Sequence, residues 1–210
     1  NTTNEGITAG NWLAEYLGDK DANILVIEGS VGASAALGRT NGFNQVAEEH
    51  DNWKILDSQS GDFTQAGGQE VMESFLKSYP DIDVVICEND NEAFGAIDAI
   101  KAAGKTCGPE GDIIVVSFDS VKAAFESMIA GDLNATFECN PLHGPRVAEI
   151  IQKLEKGEEV EKIRNGFRSP PRNGPHPRST VPLGCGSSPH APGGHRRTAA
   201  PTGTARRSAA

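Results

Sequence analysis

Ala22-Asn23-Ile24-Leu25-Val26-Ile27-Glu28-Gly29-Ser30-Val31-Gly32-Ala33-Ser34-Ala35-Ala36-Leu37-Gly38-Arg39-Thr40-Asn41-Gly42-Phe43 is the stretch that decides the fold. It opens on a short, nearly continuous apolar run, the composition of a strand covered on both faces. Two glycines, Gly29 and Gly32, then mark a turn, and beyond it the spacing of Phe43 and Val46 is helical. A buried strand, a tight turn and a helix in succession make the start of a βα unit.

The same alternation extends through most of the chain. Apolar or β-branched runs recur at Trp53-Lys54-Ile55-Leu56, Val84-Val85-Ile86-Cys87, Ile113-Ile114-Val115-Val116-Ser117-Phe118 and Ala135-Thr136-Phe137-Glu138. Helical spacing lies around them, in Ile7, Trp12, Leu13 and Tyr16, in Val71, Phe75 and Leu76, in Phe94, Ile97 and Ile100, in Phe125, Met128 and Ile129, and in Val147, Ile150, Ile151 and Leu154. The pattern predicts a doubly wound α/β domain with a mostly parallel sheet of about five strands flanked by six helices. Ala103-Gly104, Ala130-Gly131 and Lys156-Gly157 supply glycine where helices should end. In such sheets ligands lie beyond the carboxyl ends of the strands, so the loops after each strand are the place to look for function.

Charge divides the chain of 210 residues into two parts. Residues 1–163 carry all 29 acidic side chains against 11 basic ones, a net of −18, whereas residues 164–210 carry eight arginines and no acid. The acidic part argues against a nucleic-acid partner, which needs clustered cations, and suits a soluble monomer. Residues 164–210 hold eight of the twelve prolines and almost no large aliphatic side chain, so they are expected to form a disordered, non-native extension. The four cysteines show no close pairing of the zinc or redox kind, although a disulfide between Cys107 and Cys139 is compatible with the sequence. No run approaches the ~20 apolar residues of a membrane span. The start, Asn1-Thr2-Thr3-Asn4, has neither an initiator Met nor the regions of a signal peptide, and reads as the interior of something longer.

Chemistry is excluded more firmly than binding. The glycine turn lacks the G-x-G-x-x-G and G-x-x-x-x-G-K-[ST] spacings of nucleotide sites. No nucleophile elbow, metal-ligand cluster or convergent carboxylate pair appears, so no catalytic residue, cofactor or metal is expected. The strand ends instead carry the mixture of donors and acceptors that a polyol needs. Arg39 offers a forked donor, with a surface salt bridge as the plainer alternative. Phe63, in Ser60-Gly61-Asp62-Phe63, offers a flat apolar face, or else plugs a core edge. In Glu88-Asn89-Asp90-Asn91, Asp90 or Asn91 is expected to cap the next helix, leaving Asn89 to face a ligand. Asp119 supplies an acceptor, Ser120 suits a helix cap, and Cys139 or Asn140 faces the same cleft; His143 is expected to be an exposed helix-start residue.

Taken in order, Gly32-Ala33-Ser34…Arg39…Gly42-Phe43, Ser60-Gly61-Asp62-Phe63, Glu88-Asn89-Asp90, Ser117-Phe118-Asp119 and Ala135-Thr136-Phe137-Glu138-Cys139-Asn140-Pro141 resemble the periplasmic sugar-binding proteins of the ribose and galactose type, and within them the galactofuranose-binding branch. The resemblance covers residues 1–163. It implies one lobe of a two-lobed binding protein that closes on a monosaccharide and docks on the permease of an ABC importer, in the periplasm or outside the cell. Carried onto matching positions, it implies that Arg39 and Asn89 bond the sugar, Asp119 accepts from its hydroxyls and Phe63 packs on its ring. Ribose binders carry an arginine where this chain has Leu37, which disfavours ribose and leaves a hexose or galactofuranose-like sugar. The amino-terminal lobe of the family would precede Asn1, so the chain is expected to contribute half of a cleft. The rival expectation is the effector-binding core of a sugar-responsive transcription repressor, whose lobes resemble these.

Overall fold

A computed structural model describes residues 1–160, and the segment after residue 163 that was read as a tail lies outside the described residues. Six helices alternate with five strands: α1 (Thr2–Leu17), β1 (Ala22–Glu28), α2 (Ser34–Ala47), β2 (Trp53–Ser60), α3 (Gln65–Ser78), β3 (Val84–Cys87), α4 (Asp90–Ala102), β4 (Ile114–Asp119), α5 (Lys122–Ala130), β5 (Ala135–Glu138) and α6 (Gly144–Glu155). The strands form one parallel sheet in the order β2-β1-β3-β4-β5. The chain runs outward from β1 to β2 and returns to β3, which puts the switch in strand order between β1 and β3.

Side-chain alternation across the sheet builds two cores. Ile24, Val26, Val84, Ile86, Val116 and Phe118 point to the face covered by Ala9 and Leu13 of α1 and Phe43 of α2. Leu25, Ile27, Val85, Cys87 and Val115 point to the other face, against Met72 and Phe75 of α3 and Ile97 and Ile100 of α4. Burial of both faces is why these strands read as continuous apolar runs. The glycine stops hold as well: Gly104, Gly131 and Gly157 all have positive φ, and Gly131 is the left-handed cap of α5.

Two expectations need correction. The second strand runs past Leu56, the last residue of the apolar run that marked it: Ser58, Gln59 and Ser60 belong to β2 and pair with Val26, Ile27 and Glu28 of β1. β2 is an edge strand with one hydrogen-bonded neighbour, so it tolerates polar residues, and a register shift beside Ile24 and Leu25 further hides its pattern. The disulfide is also overturned, because Cys107 and Cys139 are both free. Cys107 bridges to Ile113 at the start of β4, whereas Cys139 follows the end of β5, where Glu138 pairs with Asp119. A strand of that length separates them by roughly 20 Å at ~3.3 Å per residue, far beyond disulfide reach.

A cluster of polar side chains at the switch point

Arg39 is the hub of the carboxyl edge of the sheet. It leaves the second turn of α2 and is only 3% exposed, which corrects the surface salt-bridge alternative. Its Nε donates to Glu5 of α1 at 3.0 Å, one terminal nitrogen donates to the Glu88 carbonyl at 2.5 Å, and the other donates to Asp119 at 2.8 Å. The guanidinium carbon lies 5.0 Å from the centre of the Phe118 ring, within cation–π range. Burial works against the charge, but Asp119 and Glu5 outweigh it and the pKa is raised. Of five guanidinium N–H groups three are committed to these bonds.

Asp119 sits where β4 ends, with φ of 100° followed by φ of 59° at Ser120. Two consecutive non-glycine residues in that region must be held from outside. Asp90 does most of this. Its carboxylate accepts from Ser117 Oγ, from Thr136 Oγ1 at 2.7 Å and from the Val121 N–H at 2.8 Å, while Ser120 N–H donates to Thr136. Burial pushes the Asp90 carboxyl up against the pull of those three donors. The corner so made leaves the Asp119 side chain 37% exposed, with one oxygen on Arg39. Neither Asp90 nor Ser120 is a cap: Val121 precedes α5 and has no side-chain cap bond.

Asn89 is itself the cap of α4, contrary to the expectation that Asp90 or Asn91 would serve. Its Oδ1 accepts from Glu92 N–H at 2.8 Å, and its Nδ2 donates to the Phe63 carbonyl at 2.9 Å. The amide retains one N–H and one lone pair beyond those bonds. Phe63 follows Asp62 in a left-handed turn, with φ of 56° and 58°, and its ring lies directly against Gly29. Only glycine fits there, since a Cβ on residue 29 would stand 2.0 Å from the ring.

Arg39, Phe63, Asn89 and Asp119 are therefore joined at one rim, through Arg39 to Asp119, Arg39 to Glu88 beside Asn89, and Asn89 to Phe63. Cys139 is half-buried at the β5 end of this cluster, beside Glu5, and burial first and then Glu5 push its thiol up. His143 is exposed at the start of α6. A narrow gap of about 10 Å³, room for no more than about one water, lies between Arg39 and Glu88 and the side chains of Val26, Ile86 and Phe118 of the sheet.

Several members were missed from sequence. Glu88, buried at the end of β3, accepts from Gly29 N–H at 2.7 Å and Thr40 Oγ1 at 2.6 Å, tying the β1 turn to α2; burial raises its pKa. Glu5 and Glu92 were also passed over. A glutamate on a helix ordinarily reads as solvated, and nothing local to these residues signals otherwise. Among the described residues no group of His, Cys, Asp and Glu is arranged to hold a metal ion, and no helix is long and apolar enough to cross a membrane.

The periplasmic binding protein domain family matches residues 1–158, three quarters of the chain, with all the elements above inside the match. The chain belongs to this family. This periplasmic binding protein domain is 39% identical over 163 residues to the galactofuranose-binding protein YtfQ of Escherichia coli (strain K12), covering 76% of this chain and 51% of that protein. A Mycobacterium smegmatis protein crystallised with β-D-fucofuranose is 41% identical with a TM-score of 0.70, over 76% of this chain and 53% of that one. The binding component of an arabinose ABC transporter from Shewanella sp. ANA-3, bound to α- and β-L-arabinofuranose, is 40% identical with a TM-score of 0.73, over 77% and 53%. The periplasmic binding protein domain thus spans about half the length of the curated relatives it matches. Its relatives carry the names of binding proteins, not enzymes.

Proposed function

We propose that this domain supplies one side of a monosaccharide-binding cleft in the solute-binding component of an ABC-type sugar importer. The observation that carries the reading is the linked cluster of Arg39, Phe63, Asn89 and Asp119 at the switch point of a parallel sheet. Arg39 and Asn89 present donors, Asp119 a partly exposed acceptor, and Phe63 an apolar ring, the set a polyol with alternating O–H and C–H surfaces requires. Cys139 sits at the edge of the same rim. The sugar is a hexose or a furanose of galactofuranose type; the three relatives named above bind or are crystallised with furanoses, which supports the five-membered ring. The same relatives support import over the repressor reading.

The protein of which this domain is part would act as a monomer in the periplasm or outside the cell and deliver its sugar to a membrane permease. The test is calorimetry on a longer protein joining this chain to an amino-terminal half like that of its relatives, titrated with D-galactose, D-fucose and L-arabinose. Arg39→Ala and Asn89→Ala are each expected to cost roughly 1.5–3 kcal/mol of binding, the range for hydrogen bonds to charged groups and for buried partners left unmet. Unchanged affinity in both variants removes the proposed site.

A further inference from the structure

Glu92 is the most completely buried acid among the described residues, with no exposed surface, on the first turn of α4. One carboxylate oxygen, Oε1, accepts from the Phe63 N–H at 2.9 Å. The other, Oε2, is buried with no hydrogen-bond partner. Because Asn89 takes the Phe63 carbonyl, the peptide groups on both sides of the Phe63 Cα are gripped by the same helix start. Gly61 makes the room: a Cβ there would lie 2.9 Å from Glu92 Oε1 and equally close to Ile27.

We infer that Glu92 is the positioning residue of the aromatic wall of the site: as a neutral acid it latches the Phe63 turn against Gly29, and its ionisation releases that turn. The role of the wall in sugar recognition rests on the reading proposed above; the latch itself does not. An isolated buried carboxylate without a cation beside it is far more costly than a buried carboxylic acid with one unmet oxygen. The least costly way to hydrate it is to open the turn, since Phe63 is only half-buried and Asp62 and Thr64 beside it are exposed.

The surroundings agree. Burial raises the Glu92 pKa to about 8 against the pull of the Phe63 N–H, which favours the charged form; Glu88 at the end of β3 adds to the rise, and Arg39 of α2 opposes it. Cys87 of β3 is itself driven well up by burial and then by Glu92 and Asp90, so it contributes no neutralising charge. Asp62, in the turn, is engaged with Ser30 Oγ, and the nearby parts of β1 and α3, Ile27 and Gly68, carry no ionisable group.

The experiment is solution NMR of the complete 210-residue chain. It follows the Glu92 carboxyl carbon and the nuclear Overhauser effect between the Phe63 ring and the Gly29 α-protons. On raising the pH from about 6 to about 9.5, the wild-type effect is expected to weaken about threefold or more, with the midpoint of the Glu92 titration. Glu92→Gln retains an oxygen for the Phe63 N–H and is expected to keep the effect constant over that range. Glu92→Ala is expected to weaken it at every pH. An effect that stays constant while Glu92 titrates, or that falls equally in Glu92→Gln, overturns the inference. No sugar enters these measurements, so a failed latch and a failed sugar site are told apart.

Discussion

At the scale of single residues, charge inside the rim is the dominant fact, and it has a consequence for stability. A carboxyl whose folded pKa is raised above its unfolded value binds a proton in the native state that the unfolded chain has lost. For Glu92, raised from 4.5 to about 8, the stabilisation is complete below about pH 4.5 and declines as the pH rises to 8. Glu88 and Asp90, both raised by burial, act in the same direction. Urea unfolding of the wild type is therefore expected to give a lower midpoint at about pH 8.5 than at about pH 6, a loss of up to a few kcal/mol of stability, and Glu92→Gln is expected to lose much of that difference. Equal slopes with pH in the two proteins would contradict it.

This is also the scale at which the sequence was least legible. Arg39, Phe63, Asn89 and Asp119 were picked out by their position after strands, and they do converge. Their own bonds were not readable: Asn89 caps α4 because Glu92 N–H is three residues on, and a run of Asn-Asp-Asn offers three equivalent candidates for that place. Asp90 was free for the β4–β5 corner only because Ser117 and Thr136 happen to face it from neighbouring strands, a long-range fact.

At the scale of elements, α1 and α2 are held together backbone to backbone. A Cβ on Gly42 of α2 would stand 2.1 Å from the Thr3 carbonyl oxygen, and one on Gly6 of α1 would stand 2.2 Å from the Arg39 carbonyl oxygen. These contacts place Glu5 within reach of Arg39, so small residues on a helix pair serve the rim. Gly42→Ala must separate the helices and is expected to cost about 1–3 kcal/mol, the range for overpacking. For a domain of this size that is roughly 2–4 °C of Tm per kcal/mol by calorimetry. Gly144→Ala, where a Cβ meets nothing, is expected to stay within about 0.5 kcal/mol; a Gly42→Ala melting point equal to it would rule out the close approach. Elements themselves were legible wherever both faces are buried, as in β1, β3 and β4. β2 was half lost because an edge strand can alternate exposed and half-buried residues without an apolar run.

At the scale of the whole molecule, the reading proposed above makes the cluster one wall of a cleft. α6 sharpens the point: it has no buried residue, and Val147, Ile151 and Leu154 are about half exposed on it. Affinity for a small polar ligand comes from enclosure and from pairing each of its groups. The 210-residue chain alone is thus expected to bind D-galactose or L-arabinose far more weakly than micromolar by calorimetry, and micromolar or tighter binding would refute the half-cleft account. The parallel sheet followed from the strand–helix alternation, whereas the strand order and which helices share a face depend on packing.

The most direct test is a crystal structure of the longer protein, this chain joined to an amino-terminal half, with the sugar that stabilises it most. The account predicts sugar oxygens within hydrogen-bond distance of Arg39, Asn89 and Asp119, with the ring over Phe63. A sugar seated elsewhere, with those four side chains turned from it, would contradict it.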